Sequence, residues 1–183
     1  MNIILHQPEI PANTGNIGRT CVATGTALHL IEPLGFHLDE KSIKRAGMDY
    51  WDKLDVTRYV NYGDFLEKNG LSDNSSSQMS ESPLTNTGRP HIWYATTKAK
   101  KRYTDVHFGP NDYIMFGKES AGIPEEILVE NEPSCIRIPM LDDIRSLNLS
   151  NSVAIVLYEA LRQQDFDGLN SEGNLHRLSW KND

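Results

Sequence analysis

The chain has 183 residues, 38% of them hydrophobic and 23% charged, which suits one domain with its own core and is unlike a disordered chain. No run of about 18 apolar residues occurs, so a membrane-spanning helix is excluded. The net charge of −7 argues against a general nucleic-acid coat and leaves room only for a local basic patch.

The first predicted element is a strand, Asn2–His6, and this N-terminus lacks the basic lead and long apolar run of a secretory signal. A helix is expected from Asn13, an N-cap type, with Ile17, Cys21 and Val22 on one face and Gly25 closing it. Leu28–Ile31 reads as the next strand, followed by a short helix near Asp39–Arg45 closed by Gly47. Val56–Val60 and His91–Thr96 are further strands, with a helix near Tyr62–Lys68 between them, closed by Gly70. Residues 72–90 hold few apolar anchors and are expected to be a mobile loop. Tyr113–Phe116 is apolar throughout, as a parallel strand covered on both faces should be. Pro124 sits in the first turn of a helix expected to run through Val129, and Cys135–Ile138 is a sixth strand. The longest helix, Ser150–Gln164, carries Val153, Val156, Leu157, Ala160 and Leu161 at core spacing. The tail after Gly168 is weakly patterned. Strands alternating with helices predict an α/β fold, a mostly parallel sheet with helices on both faces. One domain over 1–165 and a weakly ordered tail over 166–183 are expected.

Cys21 and Cys135 have no partners at metal-ligand spacing, and the six histidines form no cluster, so no metal is expected and the thiols read as small core residues. Three segments leave strands and enter helices. Asn13-Thr14-Gly15-Asn16-Ile17-Gly18-Arg19 offers small residues at a helix start, which suits an anion, or a plain tight turn. Phe116-Gly117-Lys118-Glu119-Ser120-Ala121-Gly122-Ile123-Pro124 puts glycine where a ligand could pack on backbone; Lys118 stands where a nucleophile elbow needs glycine, so Ser120 is no hydrolase nucleophile. Ile136-Arg137-Ile138-Pro139-Met140 leads through Arg145 to Ser146-Leu147-Asn148-Leu149-Ser150-Asn151, rich in cap and turn residues. The first turn lacks the complete dinucleotide fingerprint, which weighs against an oxidoreductase.

In order and spacing these segments resemble the three motifs of SpoU-type RNA 2′-O-ribose methyltransferases of the SPOUT superfamily, closest to the small single-domain TrmL branch that methylates the wobble cytidine or uridine of leucine tRNAs. His29-Leu30-Ile31-Glu32-Pro33 and Arg45-Ala46-Gly47-Met48-Asp49-Tyr50 carry the likeness further, from Ile3 to about Gln164. The polar stretch at 72–90 is longer than that branch carries there.

The resemblance implies a C-terminal trefoil knot, a cytoplasmic homodimer, S-adenosylmethionine as cofactor and tRNA as substrate. It implies a cofactor pocket at Ala95, Gly117, Ile138, Met140 and Ser146, with backbone groups on the adenine edge and Ile138 and Met140 against its faces. It implies catalytic parts for Arg19, Glu119 and Asn148. Guanidinium groups keep their proton in proteins, so Arg19 is read as an electrostatic clamp on the 2′-oxygen rather than as a base. Glu119 is expected to orient polar partners and Asn148 to position nucleotide or cofactor. Tyr158, Lys98, Lys100, Lys101 and Arg102 are the expected RNA contacts, with Lys41, Lys44 and Arg45 second. A ribosomal RNA substrate and a non-catalytic RNA-binding role remain as alternatives.

Overall fold

The computed structural model describes residues 1–38, 50–72 and 89–179. Within them lie β1 (Asn2–His6), α1 (Pro11–Thr24), β2 (Ala27–Ile31), β3 (Val56–Tyr59), α2 (Tyr62–Lys68), β4 (Ile92–Ala95), β5 (Lys101–Arg102), β6 (Tyr113–Phe116), α3 (Glu125–Glu130), β7 (Cys135–Arg137) and α4 (Leu149–Gln163). The seven strands are all parallel, in the order β3-β2-β1-β6-β4-β7-β5.

Alternation along the strands divides the core. Ile3, Leu5, Ile114 and Phe116 point to the face covered by α1 and α4, where Ile17, Cys21, Val153 and Leu157 pack. Ile4, Tyr113 and Met115 point to the other face, against Phe65 of α2 and Leu128 of α3. Both faces of β1 and β6 are therefore buried, which is why these strands read as unbroken apolar runs. Both cysteines are buried and free, as expected of core thiols, and burial pushes the Cys21 thiol up to about 12.

Helix starts needed the largest corrections. α1 begins at Pro11, with Ile10 as N-cap, so Asn13 lies inside the first turn. A proline at the first helical position needs no N–H there, and that outweighed the capping preference of Asn13. Gly25 ends the helix as expected, its N–H returning to the Cys21 and Val22 carbonyls. Pro124 is the N-cap of α3 rather than part of it, and Asn148, whose Oδ1 accepts from Ser150 and Asn151, caps α4 one residue earlier than expected. Strands expected to reach Val60, Thr96 and Ile138 end at Tyr59, Ala95 and Arg137. The two-residue β5 was not expected. It has no apolar residue to mark it and joins through backbone pairing of Lys101 with Ile136 and Arg102 with Arg137, on a lysine-bearing sheet edge.

The predicted helix near 39–45, with Lys41, Lys44 and Arg45, lies outside the described residues, as does nearly all of the 72–90 stretch. Residues 170–179 are exposed and form neither helix nor strand. No helix among the described residues is long and apolar enough to cross a membrane.

His29 gives the fold a pH signature. It is buried between β1 and β3, with Nδ1 2.9 Å from the Tyr59 hydroxyl and Nε2 3.3 Å from Asn2 Oδ1. Burial lowers its pKa to about 4 from 6.5, only partly opposed by Asp55. A histidine held neutral in the fold titrates first in the unfolded chain, so His29 alone should take about 3 kcal/mol from stability as pH drops from about 6.5 to about 4. Urea unfolding across that window measures it, and His29→Gln should flatten the slope. An equal slope in the variant would assign the effect elsewhere.

Candidate active site

The sheet order creates a crevice. β1 and β6 are neighbours, with Leu5 opposite Phe116, but the chain leaves β1 toward β2 on one side and β6 toward β7 on the other. Ligands bind at such reversal points, outside the carboxyl ends of the strands.

Two loops meet there and grip each other. Glu119, after β6, accepts from the backbone N–H of Glu9 at 2.8 Å, that of Ile10 at 3.3 Å and Asn13 Nδ2 at 2.9 Å. A carboxylate is favoured at this spot because the start of α1 carries unpaired N–H groups and the positive end of the helix dipole. Glu9 returns the contact, accepting from the Ser120 N–H at 2.9 Å and hydroxyl at 2.8 Å, which hold its carboxyl below the usual range. Asn13 Oδ1 accepts from Asn148 Nδ2 at 2.9 Å, so α4 is tied to the same point. Arg145 Nη2 donates to the Ser120 carbonyl oxygen at 2.8 Å, drawing in the stretch before α4. One polar chain, Glu119–Asn13–Asn148, thus connects all three segments singled out in the sequence. Beside it His6, at the end of β1, is buried with Nδ1 unpartnered; burial first, then the Lys118 charge, lower its pKa and keep it neutral.

Register sets three of the predicted cofactor residues side by side. Ala95 of β4 lies opposite Phe116 on one side and Ile136 on the other, so Ala95, Gly117 and Ile138 stand at three adjacent strand ends. Ala95, Ile138 and Met140 are half-buried, while Ser146 lies in the exposed 141–148 stretch anchored by Arg145. Half-buried apolar side chains beside strand-end backbone fit a flat purine with polar edges. At Gly117 the fold adds a second reason for glycine. A Cβ there would stand 1.9 Å from the Gly122 carbonyl carbon and 2.1 Å from Ile123 N, because the 118–122 turn closes directly over it. Its lack of a side chain serves the chain's own crossing, with Gly122 N–H donating to the Lys118 carbonyl at 2.8 Å.

Arg19 stands apart from this chain. It is exposed, six residues beyond buried Asn13 and so on another face of α1, and its guanidinium lies 4.7 Å from the ring centroid of Tyr50. The Tyr50 hydroxyl in turn donates to the Gly15 carbonyl oxygen. Among the described residues the expected RNA-contacting side chains of the 98–102 stretch are engaged: Lys98 with Glu125 at 2.7 Å, Lys100 with Glu132 at 2.8 Å, Arg102 with Asp105 at 2.8 Å, and Lys101 with the Pro133 carbonyl. Tyr158 is exposed on the outer face of α4.

Sequence reasoning missed Glu9, Ser120 and Arg145, and gave Asn13 the wrong task. Pro11 was the available signal, since a proline at the first helical position moves the cap to Ile10 and leaves the Asn13 amide without a capping role. Asn13→Ala should cost about 1–2 kcal/mol, by leaving Asn148 Nδ2 without its partner and Glu119 Oε1 with only the longer bond from the Ile10 N–H. Asn13→Asp should cost more, because it sets a second carboxylate beside Glu119. Chemical unfolding of both variants tests this, and wild-type stability in the alanine variant would remove the chain's structural role.

The family model for SpoU rRNA methylases matches residues 1–158. The chain belongs to the SpoU family. It is 46% identical over 183 residues to a Listeria innocua protein provisionally named tRNA (cytidine(34)-2′-O)-methyltransferase, covering 98% of each chain. A solved structure that concerns 2-OH methylation of C/U34 on tRNA is 36% identical, covers 90% of this chain and 95% of its own, and superposes with a TM-score of 0.73. The SpoU methyltransferase AviRb from Streptomyces viridochromogenes, solved with its cofactor AdoMet, shares the fold at 22% identity and a TM-score of 0.72, over 90% of this chain and 58% of its own. The SpoU fold is thus the seven-stranded parallel sheet described above.

Proposed function

We propose that this SpoU-family chain transfers a methyl group from S-adenosylmethionine to the ribose 2′-hydroxyl of a tRNA wobble cytidine or uridine, with leucine tRNAs the expected substrates. The observation that carries the reading is the Glu119–Asn13–Asn148 chain, which draws all three segments to one crevice. The names of relatives that act at position 34 supply the substrate.

Ala95, Gly117, Ile138, Met140 and Ser146 would hold the cofactor, which when bound supplies an electrophilic methyl group. The protein's part is alignment and charge. Arg19 would stabilise the negative charge that develops on the 2′-oxygen as its proton leaves. Glu119 fixes the start of α1 and Asn148 fixes the start of α4, so both edges of the crevice keep their spacing.

The working unit is proposed as a cytoplasmic homodimer. Ile155 and Tyr158 on the outer face of α4, with Leu141, Ile144 and Leu147 before it, leave an apolar surface that a second copy could cover. A trefoil knot belongs to the same proposal. Its support is that β7 lies between β4 and β5, while Ala99, before β5, joins the core on one sheet face and Phe108, after β5, joins it on the other. The β4–β5–β6 segment thereby passes β7 on both sides.

Tritium-methyl transfer to bulk tRNA, followed by mapping of the modified nucleotide, tests the activity. S-adenosylhomocysteine at about 100 times its dissociation constant should add about 2.7 kcal/mol of stability. Transfer to position 34 together with a thermal shift is the expected result. Absence of a shift at millimolar ligand would overturn the cofactor assignment.

A further inference from the structure

Between α3 and the stretch joining β4 to β5 lies a cavity of about 530 Å³, a size typical of small-ligand sites. Its floor is apolar and buried, formed by Ala99, Leu128 and Cys135, and Val129 stands 78% exposed in its wall. Its rim is charged: Lys98 and Lys100 reach across to Glu125 and Glu132, and Lys101 reaches the Pro133 carbonyl. At one end the lining includes Thr96, the residue after Ala95, so the cavity adjoins the strand-end crevice while sharing none of Gly117, Ile138, Met140 or Ser146.

We propose that this cavity receives an unpaired nucleotide of the RNA substrate flanking the methylated position, its base on the apolar floor and its phosphates taking the place of Glu125 and Glu132 on the lysines. The inference rests on the RNA methyl-transfer reading above. Charge and shape select this occupant. A wholly apolar ligand would bury a ring of five charges, and an acidic peptide would use the ammonium groups but leave the floor wet. A nucleotide joins a flat, weakly polar disc to an anion in one unit. Exchange is easy because the ion pairs are exposed and therefore weak, and an ammonium on a flexible stem can turn to a new acceptor. In a chain of net charge −7, a polyanion also needs such a local cluster in order to dock.

The test uses the full chain, a tRNA transcript and two variants whose altered side chains lie at the surface, E125Q/E132Q and Val129→Asp. Binding is measured against salt concentration, alongside methyl transfer and S-adenosylhomocysteine affinity. Removing the carboxylates that compete for the lysines should tighten tRNA binding, most at low salt. Val129→Asp should weaken tRNA binding by about fivefold or more, because it sets a carboxylate in the wall against the base and its phosphates. Cofactor-product affinity should not change in either. Unaltered tRNA affinity and slope in both variants, with wild-type methyl transfer intact, would overturn the inference and leave the functional reading standing. So would a change in self-association by sedimentation with tRNA affinity constant, which would make the cavity a contact between copies. If the wild type neither binds nor methylates tRNA, the functional reading itself falls, and this inference with it.

Discussion

Arg19→Ala lowers turnover by about a hundredfold or more while leaving S-adenosylhomocysteine affinity nearly unchanged. This is the expected result if the guanidinium stabilises charge only as the 2′-oxygen loses its proton, since an interaction made in the transition state alone appears in kcat rather than in cofactor binding. The position of Arg19 fits that separation. It is exposed on α1, on another face from Asn13, and its guanidinium rests against Tyr50 rather than in the Glu119–Asn13–Asn148 chain. Arg19→Lys should recover only part of the rate, because an ammonium lacks the planar two-point grip and stacks less well on an aromatic ring. If Arg19 serves the cofactor pocket of a second copy, mixing Arg19→Ala protein with an Ile138→Asp variant should restore activity. A heterodimer of the two contains one site with both halves intact. Normal turnover in Arg19→Ala would refute the role; complete loss without rescue in verified heterodimers would keep the role and reject the shared site.

Gly117→Ala should be the most damaging glycine-to-alanine change among the described residues. The added carbon would meet Gly122 C at 1.9 Å, Ile123 N at 2.1 Å and Gly122 O at 2.4 Å, all backbone atoms that no rotamer change can move aside. The 118–122 turn would have to open, carrying with it Glu119, which holds the start of α1, and Ser120, which holds Glu9. A loss of about 4 kcal/mol or more is expected, together with loss of S-adenosylhomocysteine binding. Gly122→Ala is the informative comparison. Its φ of +76 disfavours a side chain, but no atom lies within 4 Å of the added carbon. Backbone strain alone costs about 1–2 kcal/mol, so this variant should stay folded. Calorimetry and ligand titration on both proteins separate the two effects, and equal stability of the pair would show that the turn over Gly117 is looser than its spacing implies.

The sequence by itself determined the layering and most of the parts list. Alternating strands and amphipathic helices announced a parallel sheet covered on both faces, because a strand buried on both sides cannot avoid reading as an apolar run. Tyr113–Phe116 and Asn2–His6 were legible for that reason, and Tyr62–Lys68 because the helix period and its capping residues agree. Glu119 and Asn148 were legible as candidate site residues only through resemblance, since a carboxylate and an amide in loops carry no period. What depended on atoms far apart in the chain could not be read. Local preference offered Asn13 as a cap, but the tertiary structure spends its side chain on Glu119 and Asn148, more than 100 positions away. The sequence marked Gly117 as a place for a ligand, and only the fold shows that the 118–122 turn also crosses closely over it. The lysines at 98–101 looked like a free basic patch until α3 brought Glu125 and Glu132 across from them. β5 escaped notice because its two residues are held by backbone pairing to β7, an interaction that leaves no trace in side-chain pattern. Periodicity reports which face of an element is buried; it does not report which distant element supplies the partner, and the crevice is made of such partners.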